Sequence, residues 1–431
     1  MKKIIDKYSG ECLYFEKDKS GLSVYIMPRK DYTGSYAVFA TKYGSVDSEF
    51  IVPNEDGITK VPDGIAHYLE HKMFDQPDGS NVFEKFSKYG GEANAYTSFN
   101  MTAYLFSATE HFYENLETLM DYVQSPYFTK ESVQKEQGII AQEIGMYDDN
   151  ASWRLFFNFL GLLYHNNPVK LDIAGTVDSI SKIDENLLYK CYNTFYNLSN
   201  MTLFVTGNLE PEKTLEVIQK NIKNTKPFDT EIKRIYPNEP KTVAGKFKTQ
   251  KISVSMPMFM IGWKDNDVGF SGKRLLKKSI EMEILLEMIF GKGSALYNEL
   301  YGAGLINQSF SFEFAPQKEY SYIEIDGQSE NPKAVYERVC AHIKKLKERG
   351  FLETDFERIK KVIWGDYIRS FNDIEGYSNT FITMSLLDIN YFDYFEEYQK
   401  ITFNDILTRF SQQFCEDLCV MSEIQPDKEE N

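Results

Sequence analysis

The sequence predicts an α+β protein of two similar duplicated domains, each a mainly antiparallel sheet with helices packed on one face. Three observations carry this expectation. Segments that alternate apolar and polar residues are interleaved with segments of helical period, as in a mixed rather than a purely helical or purely stranded chain. The order of elements in the first half recurs in the second. Between them lies a stretch with Pro227, Pro237 and Pro240, many charges and few periodic apolar positions, which reads as a linker.

Residues 23–46 alternate (Val24, Ile26; Tyr36, Val38, Ala40) and read as strands, and a loop follows at Pro53-Asn54-Glu55-Asp56-Gly57. A helical pattern spans 64–74, and a short helix at 83–89 is stopped by Gly90-Gly91. Residues 93–107, rich in Thr, Tyr and Phe, read as two strands. Phe112, Leu116, Leu119, Met120 and Val123 share one face of a helix over 111–124. Helices are expected over 131–147 and 210–223, with a buried strand at 201–206 ended by Gly207-Asn208. In the second half Tyr301-Gly302-Ala303-Gly304 stands where Tyr89-Gly90-Gly91 stood. Strands at 308–314 and 320–326 and a helix at 333–349 follow, then Phe351-Leu352-Glu353-Thr354 in the place of Phe128-Thr129-Lys130-Glu131. The domains expected are a first over 1–225, a linker over 226–250, and a related second over 251–431.

At 431 residues the chain exceeds one ordinary core, and 42% hydrophobic with 26% charged residues is the balance of a globular protein. A formal net charge of −16 repels nucleic-acid phosphate and anionic membranes, so neither is expected as a partner. No run approaches the roughly 18 apolar residues of a membrane span. Met1-Lys2-Lys3 has no apolar run behind it and does not read as a signal peptide. Cys12, Cys191, Cys340, Cys415 and Cys419 are odd in number and scattered, which suits a reducing cytoplasm better than a disulfide framework. Cys415 and Cys419, four apart, lack a second Cys/His pair to complete a metal site.

The chemistry concentrates at His67-Tyr68-Leu69-Glu70-His71. Positions i, i+3 and i+4 lie on one helix face. Two imidazoles one turn apart can grip a Zn²⁺, and a Glu between them can take a proton from water at the open metal position. This is the inverted motif H-x-x-E-H. With only five histidines in the chain, chance placement on a solvated helix is the weaker explanation. Ile65, Leu69 and Phe74 give this helix an amphipathic pattern. A third ligand must come from elsewhere. Glu136 and Glu143 are seven apart on one face of the helix over 131–147; either could face the metal while the other orients a histidine. Ile139, Ile140, Ile144 and Met146 suggest that this helix is largely buried.

Three blocks in order, residues 64–71, 91–98 and 136–144, resemble the pitrilysin/insulinase superfamily of inverted-motif (HxxEH) zinc peptidases, in its short two-domain, processing-peptidase-like branch. The resemblance runs over nearly the whole chain. It implies a zinc metalloendopeptidase with one Zn²⁺ per chain. His67, His71 and Glu143 would be the ligands, Glu70 the general base, and Glu136 the carboxylate that supports a ligating histidine. Asn94 and Ala95 would lie on the edge strand to which a short or unfolded peptide adds, held in a chamber.

Aligning Phe74 with Phe290 sets Glu283, Leu286 and Glu287 against His67, Glu70 and His71, and places Asp366 near the counterpart of Glu143. The second half is therefore expected to be a chamber wall. Cleaving members of the family present an Arg and a Tyr from this half to the substrate carbonyl; here Tyr301 and Asn307 stand at those positions. The expectation is a heterodimer whose related subunit supplies the Arg/Tyr pair, a homodimer being the other arrangement. The competing readings are a non-catalytic structural or assembly subunit, against which Glu70 argues, and a metal-dependent hydrolase of small molecules. His111 is expected near a helix start, His165 in a loop and His342 on a helix surface. Trp153, Trp263 and Trp364 are expected in the core, and 427–431 as a solvated acidic end.

Overall fold

In the computed structural model, which describes residues 1–223 and 226–427, the chain forms two compact units. The first comprises Met1–Ile144, Leu171–Tyr236 and Arg369–Leu386; the second comprises Gly145–Lys170, Pro237–Ile368 and Leu387–Asn431. Asn224 and Thr225, at the end of the expected first domain, and the last four residues of the acidic tail lie outside the described residues.

The first unit is built on a seven-stranded sheet in the order Lys2–Ile5, Cys12–Lys17, Ser23–Pro28, Met201–Gly207, Ser35–Thr41, Thr102–Ala108, Glu92–Thr97. All neighbours are antiparallel except Ser23–Pro28 beside Met201–Gly207. The two central strands, Ser35–Thr41 and Met201–Gly207, are buried along their whole length, because both faces of the sheet are covered. Tyr104 and Phe106 point to one face and meet Tyr122 and Phe86 of the helices there. Tyr25, Tyr36 and Phe204 point to the other, where the helix Ile374–Leu386 supplies Phe381 and Asn379.

The second unit carries a five-stranded sheet in the order Phe247–Ile252, Cys419–Pro426, Met258–Lys264, Ser321–Gln328, Ser311–Pro316. The helix Ala151–Leu163, from the first half of the chain, packs against its central strands. The units are thus not consecutive stretches. The helix that follows the long helix of each half joins the core built by the other half, so a single cut at 226–250 does not separate them.

That linker also contains structure. Lys233–Arg234 pairs with Glu49–Ile51, and Phe247–Ile252 runs parallel to Cys419–Pro426. As an edge strand it is mostly exposed, so its sequence lacks the apolar alternation that reveals half-buried strands. Of the tryptophans, only Trp263 is fully buried; Trp153 and Trp364 are half-buried, the first stacked on Tyr147 and the second tilted against Phe395. His111 precedes the helix Phe112–Val123 with a left-handed φ of 51°, His165 lies just past Ala151–Leu163, and His342 lies on Pro332–Arg349.

Candidate metal centre and active site

The motif residues lie on the helix Ile65–Lys72. It begins at Gly64, whose φ of 90° is left-handed and whose Cα packs so closely on the backbone at Ala174 that a Cβ would lie 2.4 Å from Ala174 O. Tyr68 hydroxyl donates to Val133 O, tying this helix to the long one. The amphipathic pattern is an understatement: every residue of Ile65–Lys72 except His71 is buried.

The long helix Lys130–Asp149 starts at a reciprocal cap, with Ser132 N–H donating to Thr129 Oγ1 at 3.1 Å and Thr129 N–H to Ser132 Oγ at 3.2 Å. It is not largely buried. Val133, Ile140 and Ile144 face the core, while Ile139 is 47% and Met146 72% exposed. An apolar run of this kind marks one buried face plus a face open to the cleft, not an interior helix.

Glu136 and Glu143 stand two turns apart on that helix and meet the motif helix differently. Glu143 Oε1 lies 3.7 Å from His67 Nε2, and its Oε2 lies 3.4 Å from His71 Nε2. Glu136 Oε1 lies 3.0 Å from the other ring nitrogen of His71, Nδ1. The alternatives left open by spacing are therefore separated: Glu143 shares the Nε2 side with both imidazoles, and Glu136 backs His71. Ligand atoms of His67, His71 and Glu143 all lie within 4.8 Å of one another. Donors arranged tetrahedrally around Zn²⁺ at about 2.0–2.1 Å lie roughly 3.4 Å apart, so the three groups fit such an ion. The 3.7 and 3.4 Å separations are too long for good hydrogen bonds. Buried His67 Nδ1 has no hydrogen-bond partner among the described residues.

Electrostatics distinguish the two imidazoles. Burial, and then the neighbouring His71, push His67 down to about 4, so it is neutral and able to ligate at ordinary pH. Burial also acts to lower His71, but the hydrogen bond to Glu136 and the charges of Glu70 and Glu143 outweigh it and hold the pKa above the usual value. Burial raises Glu70, against the opposing pull of Thr97 and His71. For Glu136, burial is outweighed by the hydrogen bond with His71, and its carboxyl stays below the ordinary range.

A cavity of about 440 Å³ opens beside these groups, lined among others by Glu70, His71, Glu136, Phe74, Asn94 and Ala95. Asn94 and Ala95 lie on Glu92–Thr97, the edge strand, paired only with Thr102–Ala108. Ala95 N–H donates to Asn94 Oδ1 at 2.9 Å.

Sequence reasoning missed Thr97 as a partner of Glu70: its Oγ1 donates to Glu70 Oε2 at 2.7 Å. It stands inside the block 91–98 but gives no signal there, since a Thr in a strand is ordinary. In the second unit Glu283 is hydrogen-bonded by Tyr394 hydroxyl, and burial, then the charges of Asp366 and Glu287, push it up to about 7. Leu286 is buried. Among the described residues, His67, His71 and Glu143 are the one group of His, Cys, Asp and Glu side chains close enough to hold a metal. Tyr301, 49% exposed, stacks on Tyr297, and Asn307 Nδ2 donates to Gln328 Oε1 at 3.3 Å.

This combination of fold and His-His-Glu cluster is that of a peptidase of the M16 type. The chain belongs to peptidase family M16, the insulinase family: residues 59–177 match the family's insulinase model and residues 182–363 its "inactive domain" model. It is 42% identical to the uncharacterized zinc protease YmfH of Bacillus subtilis, over 96% of this chain and 97% of that one. The zinc protease PqqE of Helicobacter pylori is 26% identical, over 89% and 90%. Among solved structures, an M16-like peptidase from Alicyclobacillus acidocaldarius superimposes with a TM-score of 0.92 at 36% identity, over 97% of this chain and 99% of that one. Pitrilysin shares the fold at 14% identity and a TM-score of 0.77, over 100% of this chain and 47% of that one. No helix among the described residues is long and apolar enough to cross a membrane.

Proposed function

We propose that this chain is a zinc-dependent endopeptidase that hydrolyses short or unfolded peptides bound as an added strand in a chamber. The observation that carries the reading is the convergence of ligand atoms of His67, His71 and Glu143 within 4.8 Å of one another, with buried Glu70 and His71 also lining the cleft that Asn94 and Ala95 border.

His67, His71 and Glu143 would hold the ion, with Glu136 fixing the ring of His71 through Nδ1. A bound Zn²⁺ would polarise the scissile carbonyl and bring the pKa of water towards about 7. Glu70 takes the proton of the attacking water and returns it to the leaving amine. The outer edge of Glu92–Thr97 offers main-chain hydrogen bonds to an extended peptide. The Ala95 N–H already has a local acceptor in Asn94 Oδ1, so peptide addition there exchanges one hydrogen bond for another.

The chain acts as the metal-bearing subunit of a heterodimer in this reading. Tyr301 and Asn307 cannot supply the Arg/Tyr pair implied by the family resemblance, and one lost oxyanion donor costs about 10²–10³ in rate. We place the chain in the cytoplasm, where its five free cysteines stay reduced.

The test is cleavage of a quenched fluorescent peptide library with metal quantified on the same sample, alone and with a co-expressed related subunit. Turnover is expected with the partner, and Glu70→Gln should lower it by about 10²–10⁴ while retaining zinc. Robust cleavage by the lone chain overturns the heterodimer. Stoichiometric zinc without turnover under any condition overturns the peptidase in favour of a non-catalytic subunit.

A further inference from the structure

The orientation of Glu70 is set by the strand that borders the cleft. Thr97 Oγ1 donates to Glu70 Oε2 at 2.7 Å. Thr97 ends the strand Glu92–Thr97 and pairs directly with Thr102, the two hydroxyl oxygens lying 3.3 Å apart. Thr102 Oγ1 donates to Tyr43 O at 3.0 Å. Each hydroxyl carries one proton. With that of Thr102 directed at Tyr43 O, that of Thr97 is directed at Glu70.

The turn between the two threonines is clamped. Ser98 N–H donates to Met101 O at 2.8 Å, while Ser45 N–H and Val46 N–H donate to Ser98 O and Phe99 O at 3.0 and 3.1 Å. Gly44 lies so close that a Cβ there would be 2.3 Å from Phe99 O. Backbone on both sides therefore fixes where the Thr97 hydroxyl points.

We propose that Thr97 is the positioning residue for the general base. Its hydroxyl holds one oxygen of Glu70 and leaves the other for proton transfer. Because Thr97 belongs to the same strand as Asn94 and Ala95, it sets the base in register with a peptide added to that strand. This inference rests on Glu70 being the base.

The test compares Thr97→Val, close in shape and also β-branched, with Thr97→Ser, which keeps the hydroxyl. Zinc content, kcat and KM are measured on the active form, and the Thr97→Val crystal structure is determined. In Thr97→Val, kcat should fall about 10- to 100-fold, part of the 10²–10⁴ a positioned base contributes. KM and zinc content should stay unchanged, and the Glu70 carboxylate should leave its place. Thr97→Ser should recover kcat to within about threefold of the parent, far inside that loss. An unchanged kcat in Thr97→Val, or a Ser variant as impaired as the Val variant, overturns the proposal. If the parent protein cleaves no peptide, the reading of Glu70 as a base fails. The crystal structure then still decides the positioning claim: a Glu70 carboxylate that keeps its place without the hydroxyl overturns it.

Discussion

At the scale of single residues, the two carboxylates of the long helix meet different ring nitrogens of the motif histidines. Glu136 accepts from the inner nitrogen of His71, and Glu143 meets the outer nitrogens of both imidazoles. Partners of this kind orient a ligating imidazole, and their loss costs about 10–100-fold in metal affinity. Glu136→Gln is therefore expected to weaken zinc binding by that factor, read by competition against a chelator of known affinity; unchanged affinity would remove Glu136 from the supporting role. The motif itself was legible because residue type and spacing coincide: two of the chain's five histidines flank a glutamate at helical intervals. Thr97 was not legible, because its contact with Glu70 crosses 27 positions and no periodicity links them.

At the scale of elements, the eight-residue motif helix owes its position to its two ends. Its first turn hangs on Gly64, left-handed and pressed against Ala174 O. Gly64→Ala combines a disfavoured φ with a backbone clash and should destabilise the first unit by about 2–3 kcal/mol. The measurement is the denaturation midpoint, with zinc content alongside; a midpoint equal to the parent's would show that the segment yields. Most strands and helices were legible from period two and period 3.6. Phe247–Ile252 was not, since an exposed edge strand carries charges where alternation is sought. The burial of the long helix was overread for a related reason. Ile139 is apolar because it lines the cleft, and sequence cannot separate a cleft-facing side chain from a core one.

At the scale of the whole molecule, the second unit buries acids of its own. With Phe74 aligned to Phe290, Glu283 and Glu287 stand against His67 and His71, and burial, together with the charge of Asp366, raises the pKa of both. Glu283 is an acid of ordinary pKa 4.5 held at about 7 in the fold. Between those values the folded chain keeps a proton that the unfolded chain has lost. The contribution of Glu283 to stability is therefore fully present below pH 4.5 and is lost as pH rises through 7. Glu283→Gln, which still offers an oxygen to Tyr394, should stabilise the second unit by roughly 3 kcal/mol at pH 8 and by little at pH 4.5. Urea unfolding at the two pH values checks this, and a pH-independent effect would assign the change to packing. The duplication was legible from the repeated order of elements. The interleaving of the units was not, because nothing in a local pattern says which sheet a helix will cover.

That interleaving constrains how the protein is made. The face of the first sheet bearing Tyr25, Tyr36 and Phe204 is closed by the helix Ile374–Leu386. A nascent chain leaving the ribosome must therefore hold this apolar face bare until more than a hundred further residues have emerged, a contact separated in sequence by 343 positions for Tyr36 and Asn379. Non-local closure of this kind slows folding and prolongs exposure to aggregation. A fragment ending at residue 250 should accordingly bind a hydrophobic dye and aggregate; a soluble fragment that unfolds cooperatively would contradict this. Each sheet thus takes a covering helix from the other half of the chain, so a protease nick in the intervening segment would leave two pieces that each still need the other.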